Sequence, residues 1–403
     1  MSLAQALQAA GDNLDTSLAR RALAAANADI LAADHAPALL LSAKTASIDL
    51  QNGVGGGNVL SQKRIDKAIG LDWTFERGNK RQWRVDATER TAQAARHDVS
   101  DILVQQQLAA AGAYFDLLAA QDRLEQIDAL ARSAAQLANT AARRVKAGDL
   151  AAQDAARTDI ESQRAQADSL SAQLDRQRAS LALGLLMGRT NPGPLLALPD
   201  WPALPQAPGD LTLNEFAGFE AMLEARADVK AARQRLDAAR AGLSLAEVQK
   251  KADVTLGISV DHYPGTSTRL LEFRVQVALY GVLGGYNFQG EVAKALALQD
   301  QAQDTLDKVL RTASAELQRL QHDKQGAAAR THSYETRIVP QAKRVADMAE
   351  LAYSKGAMSL TELIDTRRTL RTTLLEALTA RTDYAKAVGA WMLRSLPNNA
   401  AAR

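Results

Sequence analysis

From Asn79 to Ala147 the sequence contains one glycine, Gly112, and no proline. Such a stretch can run as one helix of about 65 residues, about 100 Å at 1.5 Å per residue. Ordinary globular helices are several times shorter. The turn Lys146-Ala147-Gly148-Asp149 then breaks the pattern, and the segment from Leu150 to about Leu186 folds back along the first helix. A thick globular core cannot house a hairpin of this length, so the helices must pack through narrow apolar stripes. Composition agrees: only 4% of the 403 residues are aromatic, and Ala, Leu, Gln, Arg, Asp and Glu dominate long stretches.

Between Asn191 and Asp210 lie six of the ten prolines, Pro192, Pro194, Pro199, Pro202, Pro205 and Pro208, which make this an extended connector. It divides the chain into similar halves. Ser2 to Leu7 opens the first half as Leu211 to Phe216 opens the second; Gly78-Asn79-Lys80 corresponds to Gly285-Tyr286-Asn287, and Gly148 to Gly356. All three correspondences fall at a spacing of roughly 208 residues, the mark of a duplication. The expected domain plan is a first repeat at 1–190, the connector at 191–210, a second repeat at 211–397 and a tail at 398–403. Each repeat reads as helix, strand pair and long helical hairpin. The strand pairs fall at 38–50 with 67–76 and at 253–262 with 269–280; the hairpins fall at 79–188 and 290–396, the second kinked at Pro340.

In the strand pairs the apolar period changes from 3.6 to 2. Leu271, Phe273, Val275, Val277 and Leu279 alternate with Glu272, Arg274, Gln276 and Ala278; Val254, Leu256, Ile258 and Val260 alternate with Thr255, Gly257, Ser259 and Asp261. Pro264-Gly265-Thr266-Ser267 supplies the turn between them. The first pair is joined by a loop containing Gly53, Gly55, Gly56 and Gly57, and leads through Ile69, Leu71, Trp73 and Phe75. Segments of this length cross a bilayer as tilted strands, and Trp73, Phe75, Tyr263, Phe273 and Tyr280 suit a membrane interface. A small antiparallel sheet packed on a helix is the competing reading, since such signals are weak per segment. Four strands cannot close a spanning barrel, and an open edge in lipid leaves backbone groups unpaired. Two copies would make a filled eight-stranded barrel and three a twelve-stranded one with a lumen.

Other classes find little support. A formal charge of +2 with interspersed signs gives no basic patch for nucleic acid. The absence of cysteine removes disulfides, thiolate metal sites and a thiol nucleophile. There is no apolar run long enough for a membrane helix, no phosphate loop and no Gly-x-Ser-x-Gly elbow. His35, His97, His262, His322 and His332 form no readable ligand cluster, so neither a metal site nor a cofactor is expected. Met1-Ser2-Leu3 enters a helical pattern directly, without the segments of a secretory signal; an exported protein would be expected here in mature or trimmed form.

The segment Ala352-Tyr353-Ser354-Lys355-Gly356-Ala357-Met358-Ser359-Leu360-Thr361-Glu362-Leu363-Ile364-Asp365 resembles the Tyr-x-x-Gly-x-x-Ser-Leu-x-Glu-Leu-Leu-Asp pattern of TolC-type outer-membrane efflux proteins, with Ile364 at a leucine position. The resemblance extends over essentially the whole chain. The first turn, Arg144 to Gly148 followed by Asp154 and Arg157, lacks the usual Ser or Thr after the glycine. Glu76-Arg77-Gly78-Asn79-Lys80-Arg81 and Gly285 to Glu291 are similar to the CzcC-type heavy-metal branch, with Asn79 replacing a glycine.

The resemblance implies a mainly α protomer that contributes four strands to a trimeric twelve-stranded barrel in the lipid of the outer membrane of a Gram-negative bacterium. A helical tunnel would extend into the periplasm. It implies a passive, non-enzymatic duct serving a periplasmic adaptor (membrane fusion) protein and an inner-membrane resistance-nodulation-division pump, with heavy-metal cations as cargo. Drug efflux and type I protein secretion are alternatives, and a soluble coiled-coil scaffold or periplasmic adaptor is the alternative of another class.

The adaptor-contacting tips would be Val145, Lys146, Ala147, Gly148, Asp149 and Leu150, with Tyr353, Ser354, Lys355, Gly356, Ala357, Met358, Ser359 and Leu360. Arg143, Arg144, Asp154, Glu362, Asp365 and Arg367 are candidates for a gate. Exposed pairs contribute only about 0–1 kcal/mol each, so such a gate must act as a group. Glu272, Arg274 and Gln276 would line the lumen.

Overall fold

The structure, a computed structural model, describes residues 1–46, 51, 65–190, 193–204, 218–263, 269–281 and 285–395. The loop holding Gly53, Gly55, Gly56 and Gly57, the Pro264–Ser267 turn, the connector from 205 onward, the Leu211–Phe216 segment and the 398–403 tail lie outside the described residues. The elements are α1 (Leu3–Gly11), α2 (Leu14–Ala33), β1 (Leu40–Ala46), β2 (Asp66–Phe75), α3 (Lys80–Lys146), α4 (Ala152–Leu186), α5 (Phe219–Ala225), α6 (Ala227–Val248), β3 (Val254–His262), β4 (Arg269–Val277), α7 (Gln289–Ser333), a π-helical turn (Tyr334–Ile338), α8 (Val339–Ser354) and α9 (Leu360–Ser395).

α3 runs unbroken for 67 residues. A Cβ at Gly112 would meet open space, so that glycine marks no close packing. The second hairpin is interrupted before Pro340. Val339 N–H reaches back five residues to Tyr334 O, widening one turn where the proline, which has no N–H to donate, enters α8. β4 ends at Val277, so the alternation expected to continue through Leu279 stops earlier, and Tyr280-Gly281 forms a turn with Gly281 at φ +71°.

The chain forms two compact units. One comprises residues 1–20, 98–229 and 310–403. Its apolar core gathers Ala6, Tyr114, Phe115, Leu117, Leu118, Leu183, Met187, Ala197 and Ala385. The described part of the connector is anchored there. Tyr114 donates its hydroxyl proton to Leu198 O at 2.7 Å, and Trp201 stacks on Phe115 with centroids 6.0 Å apart. Trp201 Nε1 donates to Asp122 Oδ2 at 3.1 Å, while the Arg381 guanidinium lies 4.8 Å from the Trp201 ring. Burial, the largest influence on Asp122, raises its carboxyl above the ordinary value despite the indole and Arg381.

The other unit comprises residues 21–97 and 230–309 and contains one antiparallel sheet of order β1-β2-β3-β4. The junction from β2 into α3 explains the Glu76–Arg81 motif. Gly78 and Asn79 adopt φ of +79° and +57°, and the buried Lys80 reaches Asp253 Oδ1 at 2.9 Å. Arg77 N–H donates to the same oxygen at 3.0 Å, and Arg84 pairs with Glu76 at 2.6 Å. Phe288 shares the φ of +57° and also stands immediately before a helix, α7. Asn79 therefore corresponds to Phe288, two residues beyond Tyr286, its counterpart in the Gly78–Lys80 alignment.

Candidate functional site

Two regions carry functional geometry, each within one unit. The first is the sheet. Cross-strand register brings the apolar positions of all four strands onto one face: Leu41 with Leu71, Leu71 with Ile258, Ile258 with Phe273, and in the neighbouring rows Ile69 with Val260 and Leu271, and Trp73 with Leu256 and Val275. These side chains are exposed, Phe273 to 73%, whereas Gly257, Ser259 and Asp261 on the opposite face are buried. An exposed apolar face backed by polar groups inverts the pattern of a sheet packed over a soluble core. β1 and β4 are edge strands within the protomer, each with one side unpaired by the sheet.

The polar face holds the expected lumenal residues Glu272, Arg274 and Gln276 in register with Ser259, Gly257 and Thr255. Arg274 reaches across β3 to Asp72 of β2, Nη2 to Oδ1 at 2.5 Å. Gly257 lies beneath this pair, and a Cβ there would collide with the Asp72 carboxylate. Thr74 and Thr255 hydroxyls meet at 3.0 Å in the adjoining row. On the apolar side Trp73 and Phe75 pack edge to face, centroids 6.2 Å apart.

The second region is the pair of helical turns, both in the first unit described. They are stereochemical duplicates. Gly148 N–H donates to Val145 O at 3.0 Å and Asp149 N–H to Arg144 O at 2.8 Å; Gly356 N–H donates to Tyr353 O at 3.1 Å and Ala357 N–H to Ala352 O at 2.8 Å. With φ of +81° and +74° at the two glycines, each turn is a Schellman motif. Lys146 to Asp149 and Ser354 to Ala357 are exposed, whereas Leu360 is buried.

The helices that follow begin differently. Ser359 Oγ accepts from Glu362 N–H at 3.3 Å, and Ser359 N–H donates to Glu362 Oε2 at 2.9 Å, which forms a capping box. Hydrogen bonds from the Ser359 backbone and then its hydroxyl hold the Glu362 carboxyl below its ordinary value. The equivalent N-cap of α4 is Ala151, with no side-chain cap.

The six gate candidates do not form one cluster. Arg144 Nη1 lies 3.4 Å from Tyr353 Oη and its guanidinium carbon 6.0 Å from that ring, which links the two turns. Arg367 pairs with Glu350 at 2.8 Å inside the second hairpin; Asp365 lies 3.7 Å from Arg368; Arg143 contacts Thr140 at 3.5 Å. Asp154 stands in the first turn of α4 and Glu362 is the cap partner just described. Sequence reasoning missed the links between α4 and α9: Arg157 to Thr361 at 3.1 Å, Arg371 to Asp168 at 2.6 Å, and Arg368 to Glu161. Only the i,i+3 and i,i+4 partners of those residues are visible in sequence, and these contacts span more than 200 residues.

Among the described residues no three His, Cys, Asp or Glu side chains gather as a cation site, and no helix is long and apolar enough to cross a membrane.

Residues 3–189 match the sequence model of the family described as "Outer membrane efflux protein". The cobalt-zinc-cadmium resistance protein CzcC of Cupriavidus metallidurans is 25% identical over 300 residues, 73% of this chain and 69% of that protein. The outer-membrane channel OprN superposes with a TM-score of 0.79 at 19% identity, covering 98% of this chain and 90% of the other. CusC, whose structures concern folding and transmembrane channel formation, gives a TM-score of 0.79 at 17% identity, with 98% and 92% covered. Residues 3–189, a little under half of the chain, thus match the outer membrane efflux protein family, and the helical hairpins with the four-stranded sheet give the chain the TolC-like fold that OprN and CusC share.

Proposed function

We propose that three copies of the chain form the passive exit duct of a tripartite efflux system, with heavy-metal cations as cargo. The sheet carries this reading. Its apolar face asks for lipid, and its two unpaired edges ask for strands from neighbouring copies, because unpaired backbone groups in hydrocarbon cost several kcal/mol each. Twelve strands leave a lumen walled by Glu272, Arg274 and Gln276, a polar surface suited to hydrated ions.

The exposed Schellman turns are the adaptor-contacting tips in this reading, and an inner-membrane pump supplies the energy. The likeness to CzcC favours metal cations over drugs or secreted proteins. Arg144, Arg367 and their partners act together as a resting gate.

Light scattering corrected for bound detergent, run beside single-channel recording in planar bilayers, tests the duct. A trimer that inserts and conducts is expected. A well-folded monomer or dimer without conductance would overturn the reading. Deleting the gene in a host that carries the matching pump and adaptor, then measuring zinc, cobalt and cadmium tolerance, tests the cargo; unchanged tolerance to all three would reject metals.

A further inference from the structure

Along α8 two apolar sets run side by side, offset by one residue. Val339, Ala346 and Ala349 are buried, whereas the residues immediately before them, Ile338, Val345 and Met348, are 40%, 44% and 63% exposed. The exposed Leu351 and half-buried Ala352 repeat the relation. The smaller side chains are packed and the larger ones face outward, the reverse of what burial favours.

The turn that precedes α8 holds one residue more than an α turn. Val339 N–H closes on Tyr334 O, five residues back, where an α-helix would close on Glu335 O, four back. Closing this wide turn to the α form advances all of α8 by one residue's share of the screw, about 100° and about 1.5 Å. Each residue then takes the place its successor holds now: Ile338 that of Val339, Val345 that of Ala346, Met348 that of Ala349. The surplus in the turn and the offset between the apolar sets agree in size and in sense.

Contacts on both sides of the turn hold the present register. Pro340 has no N–H to offer in either form, and in the α form its ring would press on Thr336 O, four residues back. Further along, Glu350 pairs with Arg367 at 2.8 Å and Tyr353 meets Arg144 at 3.4 Å. The advanced register puts Ala349 and Ala352 in those positions, so both contacts are lost in one motion. Upstream, Thr331 Oγ1 donates to Ala380 O at 2.8 Å and Tyr334 Oη to Glu376 Oε2 at 3.2 Å, which anchors the end of α7 on α9 while α8 turns.

We infer that α8 is a two-register element. Its wide turn at Tyr334–Ile338 closes and reopens by one residue, exchanging the small apolar set for the large one where α8 packs on α9. The same motion breaks and remakes the Glu350–Arg367 and Tyr353–Arg144 contacts together. The link to conductance rests on the gate reading above, and it explains how residues on separate helices act as a group.

The chain has no cysteine, so introduced ones report the register in the full-length detergent-solubilised protein through maleimide labelling rates. A349C reads a side chain that is 3% exposed now and would emerge in the advanced register, and M348C reads the converse. P340A removes the ring that opposes the α form and should speed A349C labelling at least about tenfold while slowing M348C. R144A/R367A keeps the proline, removes both downstream contacts and should speed A349C labelling several-fold. Deleting Glu335 takes out the surplus residue with the present faces of α8 retained, so A349C should stay protected there even when R144A/R367A is added.

A349C protected in both P340A and R144A/R367A would overturn the inference, and M348C protected as well in every background would assign the exposed set to a neighbouring copy. Equal A349C labelling in R144A/R367A with and without Glu335 would also overturn it, since fraying needs no surplus residue. Planar-bilayer recording of P340A separates the register from the gate. Raised resting conductance is expected; a shifted register with wild-type conductance keeps the two-register element and overturns its link to the gate.

Discussion

Asp72 on β2 and Arg274 on β4 meet across the intervening strand, 2.5 Å apart, in space left by the missing side chain of Gly257. Replacing Gly257 with Ala places a methyl where the carboxylate now sits, so the pair must break or the strands must part. We expect a loss of about 1–3 kcal/mol, the range for a steric insertion in a close-packed site. Midpoints of detergent-solubilised protein on heated gels measure it, and a D72A/G257A double change, which empties the space the methyl needs, should recover part of the loss. An unchanged midpoint for G257A would show that the pair does not hold the strands.

The turn glycines suggest a second measurement. α9 has the Ser359–Glu362 capping box, and α4 has the uncapped Ala151. Ser359→Ala should weaken the start of α9 by about 1 kcal/mol, and Ala151→Ser should strengthen α4 by a similar or smaller amount. Amide hydrogen exchange in the first turn of each helix reads both. Because Glu362 has a lowered carboxyl, its contribution is complete above its ordinary value of 4.5 and fades as pH falls below it. Exchange at the start of α9 should therefore accelerate in acid more than exchange at the start of α4.

A deeper charge cluster predicts acid sensitivity in the same unit. Arg226 is buried and bridges Asp228 and Glu316 at 2.7 Å each, and Arg394 adds contacts to Asp101 at 2.9 Å and Glu316 at 3.3 Å. Burial on its own would raise the Asp228 carboxyl, but hydrogen bonds and charge from Arg226 outweigh it and hold the group below 3.8. Folding stability from Asp228 is therefore present above pH 3.8 and is lost as pH falls through the depressed value. Asp228→Asn should cost about 2 kcal/mol at neutral pH, as expected when a charged hydrogen bond is removed. It should also flatten the acid limb of the melting profile; an equally steep limb in the variant would assign acid sensitivity elsewhere.

Trp201 anchors the connector through Phe115, Asp122 and Arg381. Trp201→Ala removes a large ring from a partly buried site and should cost about 3 kcal/mol. Limited proteolysis reports it: cleavage between 193 and 204 should appear in the variant and not in wild type.

The gate reading makes its own prediction. Arg367→Ala leaves Glu350 without its 2.8 Å partner, and Arg144→Ala removes the link to Tyr353. Each exposed contact is small, so the single changes should alter resting conductance little and the double change several-fold. A double variant with wild-type resting conductance would remove these residues from the gate.

Much of this protein was decided locally, and that part is legible in sequence. The 67-residue α3 follows from a stretch with one tolerated glycine and no proline, and the strands follow from alternation that needs only neighbours two residues apart. Gly148 and Gly356 mark their turns because a left-handed backbone conformation is cheapest without a Cβ. Even Ser359 and Glu362 carry a readable signal, the Ser-x-x-Glu spacing of a capping box, although it points to helix initiation and not to a gate.

What required tertiary structure is whatever depends on register between distant segments. Asp72 and Arg274 are 202 positions apart, Glu161 and Arg368 207, and no local period records which residues will face each other at such separations. Pairing energy is summed over whole strands, so register is chosen collectively, and only the folded sheet reveals which residues that choice sets side by side.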